Sequence, residues 1–349
     1  MKTQHYLITD PASAQEQLQA AGEIIQSGGL VVFPTETVYG LGGDGTNPDA
    51  AAKIYAAKGR PSDNPLIIHV ANPADASLYA HTSPLYFALA KAFMPGPLTV
   101  IMPKREVVPF SVTGGLDSVA VRCPSHPVAN ALIRASGTCI AAPSANISGK
   151  PSPTDASHVV QDLDGKVDAI IDGGTCEIGL ESTIVKILSD EQGQPYLVLL
   201  RPGAVTHDAL CCVCPRVDIA PAVADKLAEN ERPLSPGMKY RHYAPTAPLV
   251  LLDGKDEDVL AFLQSEQRKR SCTVLCYDEE IDALWGGTVI PIGQKQDLAA
   301  QAKHLFAALR QADATDAEII YAHLPPMQGL GLALYNRMIR AAAHTVLKI

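Results

Sequence analysis

A short cationic segment, residues 58–70 with the sequence KGRPSDNPLIIHV, holds the side chains that could most directly bind an anion. Lys58 and Arg60 lie two residues apart, and Asn64 and an apolar run ending at His69 follow them. No neighbouring carboxylate can neutralise more than one of these charges. Arginine binds phosphate or carboxylate bidentately, and lysine acts as a point charge. The spacing therefore predicts an anion-binding segment.

Similar polar motifs follow or begin other predicted strands: PTETVYG, VRCPSHP, APSANISGKPSPT, GLESTIV and LRPG. The cations of the whole set are Lys58, Arg60, Arg122, Lys150 and Arg201, and its short hydrogen-bonding side chains are Ser62, Asn64, Ser144, Asn146 and Ser182. Because all these motifs lie at strand ends, we expect them to face one cleft. Such a cleft suits a polyphosphate and a carboxylate. Any one motif taken alone could equally be a solvated turn.

Two motifs resemble nucleotide-binding loops but fail in detail. GLGGDG has the G-x-G-x-x-G spacing, yet the residues PTETVY separate it from the strand LVVF, and the next helix starts only after Asn47. A dinucleotide fingerprint follows its strand directly and opens a helix, so a glycine-rich turn with close backbone approach is the better interpretation. SANISGKPS has Ser144 where a P-loop needs glycine, and Pro151 follows Lys150. These two departures argue against a P-loop.

The composition is that of a globular protein. Of 349 residues, 47% are apolar and 19% are charged, which allows two domains with sizeable cores. The net charge of −9 excludes a basic nucleic-acid module by bulk charge. No apolar run suits a signal peptide or a membrane span, so we expect a cytoplasmic protein. The eight cysteines are expected as reduced thiols, because CCVC with Cys272 and Cys276 has poor spacing for zinc.

The elements that must position these motifs divide the chain into three regions. Up to about residue 205, many strand signals alternate with fewer helices, which predicts a twisted mixed sheet with helices on its faces. The first helix is predicted in DPASAQEQLQAAGEIIQSGG, with Asp10 as its N-cap. Residues 206–246 are rich in proline and lack a clear period of apolar residues, as in a linker. Residues 247–349 alternate strand and helix, as in a small parallel α/β domain.

Taken together, the motifs FPTETVYGLG, KGRPSDNPL, PGPLTVIM, VAVRCPSHP and APSANISGKPSPT resemble the YrdC-like family over nearly all of residues 10–205. SPGMKYRHYAP and the α/β unit after it look like the C-terminal extension of the long, two-domain threonylcarbamoyl-AMP synthases. The resemblance implies an open twisted α/β sheet with a basic cavity in residues 1–205. It further implies a linker or lid over the active site in 206–246 and a Rossmann-like α/β domain in 247–349.

The same resemblance implies an enzyme that makes L-threonylcarbamoyl-AMP and pyrophosphate from L-threonine, bicarbonate or carbon dioxide, and ATP with Mg²⁺. A partner transferase machinery would then modify the adenosine beside the anticodon of tRNA. Weak tRNA binding is a further expectation, and no membrane partner is expected. Two alternatives stay open: a carbamoyltransferase-type domain, and a double-stranded RNA-binding module.

Site residues follow from matching positions in these motifs. Lys58 and Arg60 are expected to be catalytic and to face the triphosphate. The threonine pocket is expected to contain Thr35, His69, Arg122, Ala142 and Ser182, with Arg122 on the carboxylate. The ATP site is expected to contain Lys58, Arg60, Ser62, Asn64, Ser118, Ser144, Asn146, Ser152, Arg201, Tyr240 and Tyr243. No metal-ligating side chain is predicted, because strand-end solvation is the preferred role for Glu36 and Glu181. His69 is expected to bond the substrate rather than to act as a base.

Overall fold

The computed structural model describes residues 2–224 and 243–349. Its chain divides into two compact units. The first comprises residues 2–148, 153–177 and 181–224, and the second comprises residues 149–152, 178–180 and 243–349. Two short pieces of the predicted site motifs therefore belong to the second unit. Within the described residues, no helix combines the length and the apolar character needed to cross a bilayer.

The first unit is built on one large sheet. Within residues 2–224 its strands are β1 (Gln4–Leu7), β2 (Val31–Phe33), β3 (Gly40–Asp44), β4 (Ile67–His69), β5 (Leu98–Pro103), β6 (Ser118–Arg122), β7 (Ile140–Ala142), β8 (Ala169–Asp172), β9 (Thr183–Ser189), β10 (Pro195–Arg201) and β11 (Val217–Ile219). Their order is β1-β8-β2-β3-β7-β4-β6-β5-β9-β10-β11. The sheet contains both parallel pairs, such as β4 with β6, and antiparallel pairs, such as β5 with β6. The predicted mixed α/β sheet is confirmed.

Helices connect these strands, and local capping explains where they begin and end. The helices of residues 2–224 are α1 (Gln15–Gln26), α2 (Pro48–Lys58), α3 (Pro84–Phe93), α4 (Pro127–Ser136), α5 (Ala156–Leu163) and α6 (His207–Cys211). The Asn47 side chain caps α2 by accepting the Asp49 N–H, and Gly59 ends it with a φ of 60°, which glycine adopts without strain. Lys58 is therefore held rigidly in the last turn of α2.

The predicted start of α1 is wrong. Asp10 accepts the Ala12 N–H at 3.0 Å and so closes a local turn, while the helix begins only at Gln15. An aspartate followed by proline fits either a cap or a turn. The contacts of the residues after Pro11, rather than the Asp-Pro motif, decide between a helix cap and a turn.

The glycine-rich stretch after PTETVY is strand β3 and not the predicted turn. Gly42 lies beneath Phe33, and a Cβ at position 42 would come within 2.8 Å of the Phe33 ring and 2.6 Å of Ile140. Real Cβ atoms do not approach so closely, so the glycines leave room for the ring. The close backbone approach predicted for this motif is present, but it occurs against an aromatic side chain.

Residues 206–224, predicted as the start of a linker, fold as part of the first unit. They contain α6 and β11, and β11 pairs in parallel with β10. Ala222 follows in a short 3-10 helix and packs in an apolar cluster that includes Ile67 and Ile184. A three-residue strand is too short to produce a recognisable period. Of the rest of the predicted lid, residues 225–242 lie outside the described residues and residues 243–246 belong to the second unit.

The second unit is a parallel α/β layer structure. Within residues 243–349 its strands are β12 (Leu249–Asp253), β13 (Cys272–Cys276), β14 (Thr288–Pro291), β15 (Ile319–His323) and β16 (Val346–Lys348), and its helices are α7 (Asp256–Lys269), α8 (Leu298–Asp313) and α9 (Gly331–Ala341). The strands lie in the order β14-β13-β15-β12-β16, and all four pairings are parallel. The predicted parallel sheet is confirmed for these residues.

Candidate active site

Strand register brings several predicted site residues onto one face of the first sheet. His69 of β4 is in register with Arg122 of β6, and Arg122 is in register with Thr99 of β5. Residues in register on neighbouring strands point to the same face. The Thr99 hydroxyl then lies 2.8 Å from that of Ser182, just before β9. Ala142 of β7 shares this face, because it is in register with the residue two positions before His69.

A buried ion pair lies at the centre of this face. Arg122 Nη2 is 2.8 Å from Glu36 Oε1, and both side chains are about 5% exposed. Burial raises the pKa of the Glu36 carboxyl, but the Arg122 guanidinium beside it outweighs burial and holds the pKa below its ordinary value. Glu36 is therefore ionised at neutral pH. The predicted role of Glu36 in strand-end solvation is wrong, because its carboxylate is withdrawn from solvent.

The hydrogen bonding of this pair is incomplete. Both carboxylate oxygens of Glu36, together with Nε and Nη2 of Arg122, have no well-directed hydrogen-bond partner among the described residues. Buried polar atoms are nearly always hydrogen-bonded in proteins, and buried charges without partners are costly. The pair thus presents a buried cation and a buried anion side by side, with hydrogen-bonding capacity beyond their own contact, which matches the two ends of an amino-acid zwitterion.

His69 is held as a neutral imidazole. Its Nδ1 lies 3.2 Å from the Ile140 carbonyl oxygen, and its ring stands edge-on to Phe33 with centroids 5.9 Å apart. Burial lowers the pKa of His69 to about 3, and the positive charge of Arg122 adds to this effect. The bond to Ile140 assigns the proton to Nδ1. Nε2 is therefore the nitrogen that can accept a hydrogen bond.

We expect His69 to remain neutral across about pH 5 to 8, where an ordinary histidine titrates. Nitrogen-detected NMR of labelled histidine should show one ring signal set with the proton on Nδ1 and no titration in this range. The exposed His5, which bonds the Asp164 carboxylate at 2.9 Å, provides an internal comparison in the same spectrum. A His69 signal that titrates near its ordinary pKa would contradict the burial argument.

The predicted phosphate-binding lysine fastens a second predicted loop. The Lys58 side chain is 2% exposed, and its Nζ donates to the Ser144 carbonyl at 2.5 Å and also to the Asn146 carbonyl. The Ser144 hydroxyl in turn donates to Asn146 Oδ1 at 2.6 Å. Three residues predicted for the ATP site are thus brought together. The ammonium charge of Lys58 organises the loop that follows β7.

Arg60 plays a comparable part in its own segment. Its Nε and Nη2 both lie 3.3 Å from the Asn64 carbonyl oxygen, and Nη2 also donates to the Pro65 carbonyl at 3.2 Å. The guanidinium therefore clamps the turn between α2 and β4. Within this turn Ser62 is exposed, whereas Asn64 is 2% exposed and its Oδ1 has no hydrogen-bond partner among the described residues. Arg60 supports the turn in addition to supplying charge.

Thr35 positions the loop that carries Glu36. Its hydroxyl donates to the Val38 carbonyl at 2.6 Å and accepts the N–H groups of Thr37 and Val38 at 3.1 and 3.2 Å. Such a local turn fixes the backbone on either side of Glu36. On the far side of the face, Arg201 donates through Nε to the Ser182 carbonyl at 3.0 Å and through Nη2 to its hydroxyl at 3.1 Å.

Other predicted residues lie elsewhere. Ser118 is at the opposite end of β6 from Arg122, about 13 Å away at the usual rise per residue. Ser152 belongs to a segment of the second unit. Tyr243 also belongs to the second unit, where its ring lies 5.0 Å from that of Phe306. Tyr240 falls outside the described residues, so its place over ATP stays a prediction.

The sequence interpretation left Thr99 out and gave Glu36 the wrong role. Thr99 is a polar residue in the apolar strand PLTVIM, and it is fully buried. A buried hydroxyl inside an apolar run is a signal that sequence inspection can detect. Glu36 has no such signal, because its significance depends on Arg122, which is remote in the chain.

Comparison with known proteins covers nearly the whole chain. A family model described as telomere recombination matches residues 23–203, and one described as the threonylcarbamoyl-AMP synthase C-terminal domain matches residues 205–343. The threonylcarbamoyl-AMP synthase of Bacillus subtilis is 43% identical over 354 residues and is covered completely, as is this chain. The enzyme of the same name from Pyrococcus abyssi is 43% identical over 342 residues, with 95% of this chain and 96% of that protein covered.

A solved structure agrees with these relatives. The structure described as P. abyssi Sua5 complexed with L-threonine superposes with a TM-score of 0.89 at 40% sequence identity, and all of both chains is covered.

Proposed function

Because this chain belongs to the threonylcarbamoyl-AMP synthase family, in its long two-domain form, we propose that it makes L-threonylcarbamoyl-AMP and pyrophosphate from L-threonine, ATP and bicarbonate or carbon dioxide. The enzyme class is that of an adenylyl-transferring enzyme. The observation that carries the proposal is the buried pair of Arg122 and Glu36, whose adjacent opposite charges fit the two ends of an amino acid. The relatives above are named for this reaction and for neither alternative, the carbamoyltransferase nor the RNA-binding module.

In this proposal L-threonine binds between the two charges. Its carboxylate accepts hydrogen bonds from Nε and Nη2 of Arg122, and its ammonium donates to the Glu36 carboxylate. Both groups would thereby satisfy atoms that otherwise lack partners. His69 Nε2 and the hydroxyls of Thr99 and Ser182 lie on the same face and can bond the threonine side chain. The similar P. abyssi protein was solved as a complex with L-threonine, which supports this choice of substrate.

The first chemical step joins threonine to carbon dioxide. The amine must lose its proton before its lone pair can attack the carbon; a C–N bond forms, one C=O bond opens, and the carbamate carries the negative charge. Neither neighbouring group is a strong base, since the pKa of Glu36 is lowered and that of His69 lies near 3. Burial and the Arg122 cation disfavour the ammonium form, whereas the Glu36 carboxylate favours it. The amine is therefore deprotonated by bicarbonate or water, and Glu36 orients it for attack on the carbon.

The second step transfers the adenylyl group. A carbamate oxygen attacks the α-phosphorus of ATP, a new P–O bond forms, and the bond to the β-phosphate breaks with release of pyrophosphate. Such reactions depend on alignment and charge stabilisation more than on covalent catalysis. We place the triphosphate at the anion segment, where Lys58 and Arg60 are both buried cations. The loop that Lys58 fastens would hold the nucleotide beside the carbamate.

Magnesium enters this scheme as part of the substrate. In residues 2–224 and 243–349, no group of three or more His, Cys, Asp or Glu side chains could hold a metal ion, and Glu36 is engaged with Arg122. We propose that the Mg²⁺ ion is held by ATP phosphates and water, as is common for this ion. Its charge would help to neutralise the phosphates.

The product defines the class of reaction that consumes it. A threonylcarbamoyl group joined to AMP is a mixed anhydride, so a transferase must pass the group to a nucleophile before water does. We propose the exocyclic amine of the adenosine beside the anticodon of tRNA as that nucleophile, with the transferase machinery and any weakly bound tRNA as cytoplasmic partners. Because the chain carries a net charge of −9, tRNA contacts would be local and sensitive to salt.

The decisive test measures pyrophosphate release. Purified protein with ATP, magnesium, bicarbonate and L-threonine should release pyrophosphate and form an adenylate that mass spectrometry identifies. Omission of threonine or bicarbonate should reduce the rate to background. Carbamoyl phosphate should not replace bicarbonate and threonine, as it would for a carbamoyltransferase. Pyrophosphate release that is unchanged without threonine would contradict the assignment.

A further inference from the structure

A cavity of about 390 Å³ lies in the second unit, and none of its lining residues belongs to the proposed active site. It opens where strands β12, β13 and β15 end. The residues that line it are Leu252, Asp253, Gly254, Asp256, Tyr277, Lys295, Gln296, Leu298, His323, Leu324 and Pro326. Its volume falls in the range of pockets that bind small molecules.

The topology of the sheet explains why a cavity forms here. β12 continues through α7 to β13, across β15, whereas β15 continues through α9 to β16, across β12. Crossovers between parallel strands are right-handed, so the two connections leave the adjacent strands β12 and β15 toward opposite faces. The two connections therefore diverge above the carboxyl ends of β12 and β15 and leave a gap between them. Ligands of open α/β sheets bind at such a switch point.

The floor of the cavity is a rigid aromatic pair. The rings of Tyr277 and His323 stack with centroids 4.6 Å apart and an interplanar angle of 25°. Each is about 8% exposed. Glu280 fixes both, since its Oε1 lies 2.8 Å from His323 Nε2 and its Oε2 accepts the Tyr277 N–H at 3.0 Å. The His323 ring cannot turn without breaking its bond to Glu280, whereas Glu280 holds Tyr277 through its backbone N–H. Because the two rings are also buried and stacked on each other, a flat surface is pre-organised at the ends of β13 and β15.

The rim carries more negative than positive charge. Asp253 and Asp256 line it together with a single cation, Lys295, and Lys295 forms an ion pair with Asp256. Gln301 holds the loop of Lys295 by donating to the carbonyls of residues 294 and 295 at 2.8 and 2.9 Å. A phosphate group would face an excess carboxylate here, whereas hydroxyl and amino groups would find acceptors.

We propose that this cavity binds a flat heteroaromatic ligand that carries hydroxyl or amino groups and no phosphate, and that its chemical class is the nucleoside. The ring would pack on the Tyr277–His323 pair and the surrounding leucines. The ribose hydroxyls would donate to the rim carboxylates. The proposal does not depend on the reaction of the first unit, because every lining residue belongs to the second unit.

Hydrogen exchange on the full chain tests the site with adenosine as the probe. Adenosine should slow exchange in peptides that contain Asp256, Tyr277, Gln296 and His323. Gln296→Trp places an indole at the mouth of the cavity. The apparent affinity for adenosine, measured from this protection, should fall about tenfold or more. Gln294→Trp is the matched control, because Gln294 is equally exposed in the same loop but does not line the cavity. The affinity of Gln294→Trp for adenosine should stay within about twofold of the wild-type affinity.

Three outcomes would overturn the inference: no protection of these four segments by adenosine, equal loss in both tryptophan variants, or equal protection by AMP, which carries the excluded phosphate. Spermidine, a cation without a ring, should not protect them either, and protection by spermidine alone would show that only the rim charge matters. Both variants should keep wild-type pyrophosphate release without adenosine. Failure of that assay in wild type would contradict the proposed function and leave the exchange result standing.

Discussion

Replacement of Arg122 by alanine is expected to abolish threonine-dependent pyrophosphate release. The substrate carboxylate would lose its bidentate partner, and the Glu36 carboxylate would remain buried without its cation. Each hydrogen bond to a charged group contributes about 1.5–3 kcal/mol, and the variant loses two, so kcat/KM for threonine should fall by roughly two orders of magnitude or more. Steady-state kinetics with threonine and ATP varied in turn would measure this.

Two controls separate binding from folding for Arg122. Arg122→Lys keeps the charge and loses the planar fork, so its threonine KM should lie between those of wild type and Arg122→Ala. Thermal unfolding of each variant shows whether the sheet survives, because Arg122 is 4% exposed at the centre of it. If a folded Arg122→Ala enzyme loses affinity for ATP but not for threonine, the assignment of the carboxylate is wrong.

Glu36→Gln is the second large effect that we expect. The change keeps the shape of the side chain and removes the charge that would receive the threonine ammonium. A hydrogen bond to a charged group contributes about 1.5–3 kcal/mol, so the threonine KM should rise about 10- to 150-fold while the ATP KM changes little. Glu177→Gln, at an exposed position in the same unit, should leave both constants unchanged. A larger effect on ATP than on threonine would contradict the role given to Glu36.

The same substitution has a signature in the pH dependence of stability. The pKa of Glu36 is lowered in the folded protein, so the carboxylate stabilises the fold above its unfolded pKa of about 4.3. This stabilisation is lost as the pH falls through the lower, folded value. The free energy of unfolding of wild type, measured with denaturant, should therefore fall below about pH 4.3 in part because Glu36 becomes protonated. Glu36→Gln should not show this contribution.

Much of the fold could be predicted because its signals are local. The N-cap Asn47 and the terminal Gly59 delimit α2 in the sequence and in the structure. Strands β1, β11 and β16 are harder to recognise in the sequence, and each is last in its sheet. The residues of β16 are exposed along its length, so this strand lacks the apolar pattern by which strands are recognised. β3 escaped prediction because its glycines resemble a turn.

By itself the sequence determined the residue types, most of the strands and helices, the α/β class of both units and the family. Only the tertiary structure decided that Glu36 contacts Arg122, that His69 is neutral, and that Lys58 holds the Ser144 loop. The physical reason is that charge state and hydrogen bonding depend on burial and on neighbours through space. Sheet register sets those neighbours, and it arises from pairing between strands remote in the chain. The switch-point cavity has the same origin, since strand order creates it and no local motif announces it.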